Sequence, residues 1–325
     1  MEYLPNTLFA VVLLIGIGFF TRNVKKLARN IKLGREVDVS DNKPLRWKNM
    51  AKIALGQTKM VVRPISGILH ILVYVGFIVI NLEVLEIIID GLLGTHRIFA
   101  PLGSVYDILI GSFEILAFLV IVAFIIFCIR RNVINLQSFV KPQMKGWPKN
   151  DANLILYIEL VLMFLFLTMN SADYQLQQLG VAHYTQAGSF PISQFSAPLF
   201  EGMSTQSLIL IERIAWWLHI VGILFFLNYL YYSKHLHILL AFPNTYFGKV
   251  AAMGELKNLD SVTKEVMLMM DPDADPYAAP VEESTNGEAG SAEPEKFGAS
   301  DVTDLNWVQL LNAYTCTECG RCTSE

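Results

Sequence analysis

The sequence predicts an all-α membrane protein: a bundle of five transmembrane helices, then a linker, then the start of a second helical domain. Three observations predict it. Hydrophobic residues make up 53% of the 325 residues and mean hydropathy is positive, which argues against a chain of two or three soluble domains. Five apolar segments, at about 6–21, 64–89, 104–129, 152–170 and 208–232, approach or exceed the roughly 18 residues that a membrane-crossing helix needs. Three of the four cysteines crowd into the final stretch "CTECGRCTSE".

The first segment, "NTLFAVVLLIGIGFF", has no charged region before it and no small-residue cleavage site after it, so it reads as a retained helix rather than a signal peptide. Lys and Arg recur from Lys25 to Lys59 and again at Arg130, Arg131, Lys141, Lys145 and Lys149. The stretch 171–207 has neither, and Arg97 stands alone between the second and third segments. Because basic loops stay inside, the N-terminus is expected outside a bacterial cytoplasmic membrane and everything after Lys234 in the cytoplasm. Residues 1–250 form the membrane domain in this reading. Residues 251–300 form an acidic flexible linker, since "DPDADPYAAPVEESTNGEAGSAEPEKFGAS" has almost nothing large and apolar to bury. Residues 301–325 open the next domain. There "SDVTDLNWVQLLNAYT" offers Ser300, Asp301 and Thr303 as N-caps and sets Leu305, Val308, Leu311 and Tyr314 at helical spacing. The net charge of -4 divides into a basic early part and an acidic late part. The basic residues lie in membrane loops, so topology explains them and no nucleic-acid partner is expected.

Cys316, Cys319 and Cys322 give C-x-x-C-x-x-C, the first three positions of the bacterial ferredoxin run that binds [4Fe-4S] clusters. The fourth cysteine of that run would fall at position 326, so the chain reads as cut inside the motif. Thiolate sulfur suits iron-sulfur clusters, and a reducing cytoplasm keeps the thiols available. Zinc, the competing ligand, usually takes two well-separated C-x-x-C pairs. Cys128, on an apolar helix, reads as packing.

His70, His219, His235 and His237 fall in or beside apolar segments, where a histidine is costly and by default functional. Beside an iron-sulfur site, axial ligation of haem is the natural employment. His219 and His237 are 18 residues apart, which on one continuous helix is five turns and about 27 Å along a single face. The competing reading makes "SKHLHI" a basic interfacial motif that binds lipid head groups.

The five-helix layout and the 18-residue histidine pair resemble the cytochrome b (gamma) subunit family of respiratory nitrate reductase. The stretches "GQTKMVVRPISGILHILVYVGF", "WWLHIVGILFFLNYLYYSKHLHILLAFPN" and "CTECGRC" are more closely similar to fused membrane iron-sulfur oxidoreductases related to heterodisulfide reductase, among them electron transfer flavoprotein:menaquinone oxidoreductases. The resemblance implies one or two b haems, with His70 paired to His219 for an outer haem and His237 serving an inner one. Met60 stands where the nitrate reductase family has a second histidine ten residues before the first. It also implies a respiratory electron-transfer enzyme linking a soluble donor, such as electron transfer flavoprotein, to menaquinone or another quinone in the lipid. A subunit of a heterodisulfide or sulfur-compound reductase fed by quinol is the nearest alternative. A non-haem membrane anchor that docks an iron-sulfur enzyme is the alternative of another class.

Glu83, Glu86, Asp107, Glu114, Glu159 and Glu212 lie in or at the ends of apolar segments, where acids serve as proton relays or interfacial anchors; only Glu114 and Glu159 sit deep inside. Trp216, Trp217, Tyr229, Tyr231 and Tyr232 read as belt and packing residues. The sequence has no Gly-rich phosphate loop, H-E-x-x-H or nucleophile elbow, so a flavin or nucleotide would belong to a partner.

Overall fold

The computed structural model describes residues 4–136, 139–251, 254–255, 260–271 and 299–319. Lipid offers no hydrogen bonds, so an apolar segment must satisfy its own backbone, and the described residues do so as helices. In chain order these are α1 (Leu4–Ile31), α2 (Lys43–Met50), α3 (Pro64–Leu93), α4 (Ser104–Cys128), α5 (Trp147–Gln178), α6 (Ser193–Ser196), α7 (Thr205–Tyr229), α8 (His237–Tyr246), α9 (Asp260–Met270) and α10 (Trp307–Thr315). Five of them, α1, α3, α4, α5 and α7, are long and apolar enough to cross a membrane, and the chain is accordingly a multi-pass membrane protein. They outrun the apolar segments at several ends because helical hydrogen bonding continues into the polar flanks, by eight residues at the end of α5.

The ends carry local signals. Pro64 opens α3, where its missing N–H costs nothing. Gly94 closes it at φ +74°, donating its N–H to Asp90 O at 2.7 Å. Ser204 caps α7 by accepting the Ser207 N–H at 3.2 Å.

The five spans close a ring in the order α1, α3, α4, α5, α7 and back to α1, with the most extensive contact between α5 and α7. Phe9, Ile110, Phe166, Trp216 and Ile220 fill its core, while Leu14, Ile108, Phe164 and Phe225 point outward, as a lipid-facing surface requires. One end of the ring carries the Lys- and Arg-rich segments, and at the other the helices carry Glu83, Glu86, Asp90, Asp107, Asp173 and Glu212; they are called here the basic end and the acid-rich end.

At the acid-rich end the connection between α5 and α7 dips back into the ring. Glu114, fully buried on α4, accepts the backbone N–H groups of Ile192 and Ser193 at 2.9 and 3.0 Å and the Asn170 amide at 3.1 Å. A residue expected among the proton relays is thus a latch for a re-entrant loop. Glu114→Ala leaves these buried donors without a partner, at about 1–3 kcal/mol each. Thermal unfolding in detergent should therefore show a clear fall in Tm, with the loop's amides exchanging faster.

At the basic end, α10 docks on α8 and α1. Leu311 joins Leu27, Leu236 and Leu240 in a second small core, with Trp307 packed edge-on against Phe247. Arg35 and the tail exchange backbone hydrogen bonds, Arg35 N–H to Leu305 O at 2.8 Å and Trp307 N–H to Arg35 O at 3.1 Å. Asn30 donates to the Tyr314 hydroxyl at 2.9 Å. The helix begins later than expected because Asn306 and Gln309 form a reciprocal capping box, while Asp301 caps the preceding single turn Val302–Asp304. Within 251–300 the residues Asp260–Met270 form α9; the expected acidic linker at 272–298 lies outside the described residues.

Candidate functional site

Where α7 ends decides the site. The helix stops at Tyr229, and the chain turns through Leu230–Tyr232 and Lys234–Leu236 before α8 starts at His237. Asp151, buried on α5, holds this turn: it accepts the Tyr229 hydroxyl at 2.5 Å and the Lys234 N–H at 2.9 Å. Ser233, in extended backbone, accepts the His235 N–H on its hydroxyl at 3.1 Å. His219 and His237 therefore do not share a face of one helix, which corrects the spacing argument. The turn carries His237 back toward α3.

There its ring meets His70, with centroids 6.4 Å apart and planes inclined by 36°. His235 stacks on His237 at 5.6 Å and meets Phe226 at 5.3 Å. The Nδ1 of His237 lies 2.9 Å from Lys234 O, whereas the Nδ1 atoms of His70 and His235 are buried without a partner. Burial, with His237 and His70 as neighbours, pushes the His235 pKa down to about 3, and burial lowers that of His237. Both rings are consequently neutral at physiological pH, the form in which imidazole binds a metal.

Two imidazoles facing each other across one metal ion, at about 2 Å per bond and about 1.1 Å from nitrogen to ring centre, have centroids about 6 Å apart. The 6.4 Å between His70 and His237 meets that requirement. The orphaned Nδ1 of His70 is the further mark of a site built for something besides protein.

His219 is buried elsewhere, with Nδ1 3.0 Å from Leu162 O and the ring 6.0 Å from Phe166. Among the described residues no histidine ring lies against it. The ring beside His70 is that of His237 and not that of His219, in keeping with their depths. His70 is seven residues from Arg63, about 10 Å of helix, while His219 is ten from the end of α7 at Tyr229, about 15 Å. Met60 sits in the turn before Pro64 rather than on α3. Its carbonyl lies so close to Gly67 that a Cβ there would come within 2.4 Å, so the ten-residue spacing to His70 is not a helical one.

The cysteine motif begins beside the same turn. Cys316 ends α10, and the Glu318 N–H points at its sulfur at 3.4 Å. Glu318 adopts φ +47°, a left-handed bend that curls the chain around toward Cys319. Cys316 and Cys319 are exposed and free; Cys322 lies outside the described residues. The Glu318 carboxylate reaches Lys234 Nζ at 3.8 Å, one residue from His235 and three from His237.

The other acids divide into partnered and unpartnered. Glu86 accepts the Tyr106 hydroxyl at 2.8 Å and the Phe99 N–H at 3.0 Å, Asp107 accepts the Gly188 N–H at 2.9 Å, and Glu212 accepts the Tyr184 hydroxyl at 3.0 Å. Arg97 joins Asp173, Tyr106 and Asn170 at 2.7, 3.0 and 3.2 Å. The Oε2 of Glu83, by contrast, is buried with no partner. Trp216 belongs to the core rather than to a belt, and Tyr229 serves the turn. Sequence reasoning missed Asp151 and His96, because each acts through a residue distant in the chain.

No family model matches the chain, and no solved structure matches it. Two curated proteins do. Over 317 residues, 98% of this chain and 39% of the relative, it is 27% identical to the "Probable iron-sulfur-binding oxidoreductase FadF" of Bacillus subtilis (strain 168). Over 327 residues, 97% of this chain and 39% of the relative, it is 23% identical to the "EtfAB:quinone oxidoreductase" of Syntrophomonas wolfei subsp. wolfei (strain DSM 2245B / Goettingen). The chain spans about two fifths of the length of each, and it is a membrane-associated distant relative of proteins named as oxidoreductases.

Proposed function

We propose that this chain is the membrane electron-transfer part of a quinone-linked iron-sulfur oxidoreductase, with the basic end in the cytoplasm. The observation that carries the reading is the placement of the cysteine motif against the turn that brings His237 to His70. His70 and His237 would hold a b-type haem, and Cys316, Cys319 and Cys322 would hold a [4Fe-4S] cluster. Bound in these places, the two groups supply one-electron relays, one at the surface of the bundle and one inside it.

The chain's own residues do the positioning. Lys234 O fixes the tautomer of His237, so that Nε2 is left for iron; liganded histidines are usually held through their second nitrogen in this way. Asp151 and Ser233 fix the turn. The Glu318 amide, donating toward Cys316, offsets the negative charge of a thiolate-bound cluster. The α10 docking holds the motif at the bundle, so an electron arriving at the cysteines has a short protein path to the histidine pair. The names of the two relatives support iron-sulfur chemistry and a quinone partner, and one of them supports electron transfer flavoprotein as the soluble donor.

The test is a dithionite-reduced minus oxidised spectrum of the purified chain in detergent, with haem counted by pyridine haemochrome. One b haem per chain is the expected result. A folded, colourless preparation would contradict the reading and leave a membrane anchor for an iron-sulfur enzyme.

A further inference from the structure

The acid-rich end of the ring encloses a cavity of about 270 Å³. Its lining includes Glu83, His96, Asp173, Trp216, Trp217 and Phe9. Glu83 is 3% exposed and its Oε2 has no partner, although a buried carboxyl oxygen without a hydrogen bond is costly. The neighbouring polar groups are otherwise engaged. His96 Nε2 faces Asp173 Oδ1 at 3.3 Å and its Nδ1 accepts the Thr185 N–H at 3.4 Å, while Arg97 is bound to Asp173. Glu83 is thus the group whose need a ligand would meet.

Part of the lining is aromatic. Phe9 lies 5.2 Å from Trp216 and 6.0 Å from Trp217, and the two indoles meet edge-on at 5.2 Å. Aromatic rings and an unpartnered carboxyl oxygen, lining a space slightly smaller than the roughly 300 Å³ at which small-molecule pockets begin, suit a small ring bearing a carbonyl or hydroxyl. Metal chemistry does not suit it: among the described residues no three His, Cys, Asp or Glu groups are arranged to hold a metal ion.

We propose that this cavity seats the ring of a quinone or quinol, with Glu83 exchanging a proton with one ring oxygen; the proposal rests on the redox reading above for its electrons. Reduction of the ring consumes two electrons, delivered from the soluble donor, and two protons, and it forms one O–H bond at each oxygen. Glu83 gives up its proton to the nearer oxygen and is left as carboxylate. It regains a proton from water at the mouth, where the exposed His183 lines the same cavity. The second oxygen takes its proton from that water directly. Oxidation of quinol runs the same transfers backwards.

The experiment uses the purified, haem-loaded chain with menadione and its quinol as probes. Glu83→Gln keeps size and removes the exchangeable proton, and Glu83→Asp restores the acid. The expected result is an unchanged haem content and dithionite spectrum in both variants. Haem reduction by the quinol should be slowed about 100-fold in Glu83→Gln, the usual scale for losing a general acid or base, and partly recovered in Glu83→Asp. Menadione binding, read by saturable quenching of tryptophan fluorescence, should weaken in Glu83→Gln. Equal quinol kinetics and equal menadione binding in wild type and Glu83→Gln would overturn the proposal, as would binding of tetramethylammonium in place of menadione. A haem-free wild type that still binds menadione in a Glu83-dependent way would overturn the haem reading and leave this site standing.

Discussion

Replacing His237 or His70 by alanine is expected to abolish haem binding, whereas His219→Ala is expected to retain it. The distinction follows from where the rings stand. The His70 and His237 rings lie 6.4 Å apart, the separation expected of two imidazoles that share one metal ion, and in the proposed haem site removing either would leave one ligand. His219 is packed against Leu162 and Phe166 and hydrogen-bonded to Leu162 O, with no second histidine beside it. Its loss costs packing and one buried hydrogen bond, about 2 kcal/mol or more of stability, rather than a ligand. Pyridine haemochrome on matched preparations, with size-exclusion profiles to confirm folding, gives the comparison. His235→Ala should also keep the haem, because the ring that meets His70 is that of His237, on which His235 stacks.

The second large effect is expected from Gly34→Val. A Cβ at Gly34 would come within 2.5 Å of Trp307 N and 2.6 Å of Asn306 C. Those are backbone atoms at the start of α10, so no rotamer change relieves the clash. The tail must lift, giving up the burial of Leu311 and part of that of Trp307, each worth about 1.5–3 kcal/mol. Hydrogen exchange should lose its protection across 305–315 while the membrane helices stay protected. In the cluster-loaded protein, electron transfer from the cysteine site to the bundle should slow by orders of magnitude. Asn30→Ala, which removes the bond to Tyr314 and a long one from Arg29 but leaves the backbone of the docked tail alone, should have a small effect on both readings and serves as the graded control.

Much of the architecture is legible in the sequence because lipid imposes a simple rule: an apolar run of sufficient length becomes a helix. The five spans, the basic end and the amphipathic tail helix follow from it. The histidine geometry is not legible in the same way. Hydropathy runs on through Tyr231 and Tyr232, so nothing local stops α7 at Tyr229; the stop is made by Asp151, a residue some eighty positions earlier that captures Tyr229 and Lys234. Once the helix breaks there, counting turns from His219 to His237 no longer describes anything. Met60 misleads for a related reason, since Pro64 restarts the helix after it. The docking of α10 depends on Gly34 and Arg35 in an unremarkable loop, and the re-entrant loop depends on Glu114, whose partners are backbone amides that leave no trace in side-chain pattern.

The central claim, that the turn after α7 delivers His237 to His70 as a haem ligand pair, is tested most directly by electron paramagnetic resonance of the oxidised protein. A low-spin bis-imidazole signal in wild type and His219→Ala, replaced by high-spin iron or no haem signal in His70→Ala and His237→Ala, is the result the structure predicts. An unaltered low-spin signal in His237→Ala, or its loss in His219→Ala alone, would contradict it.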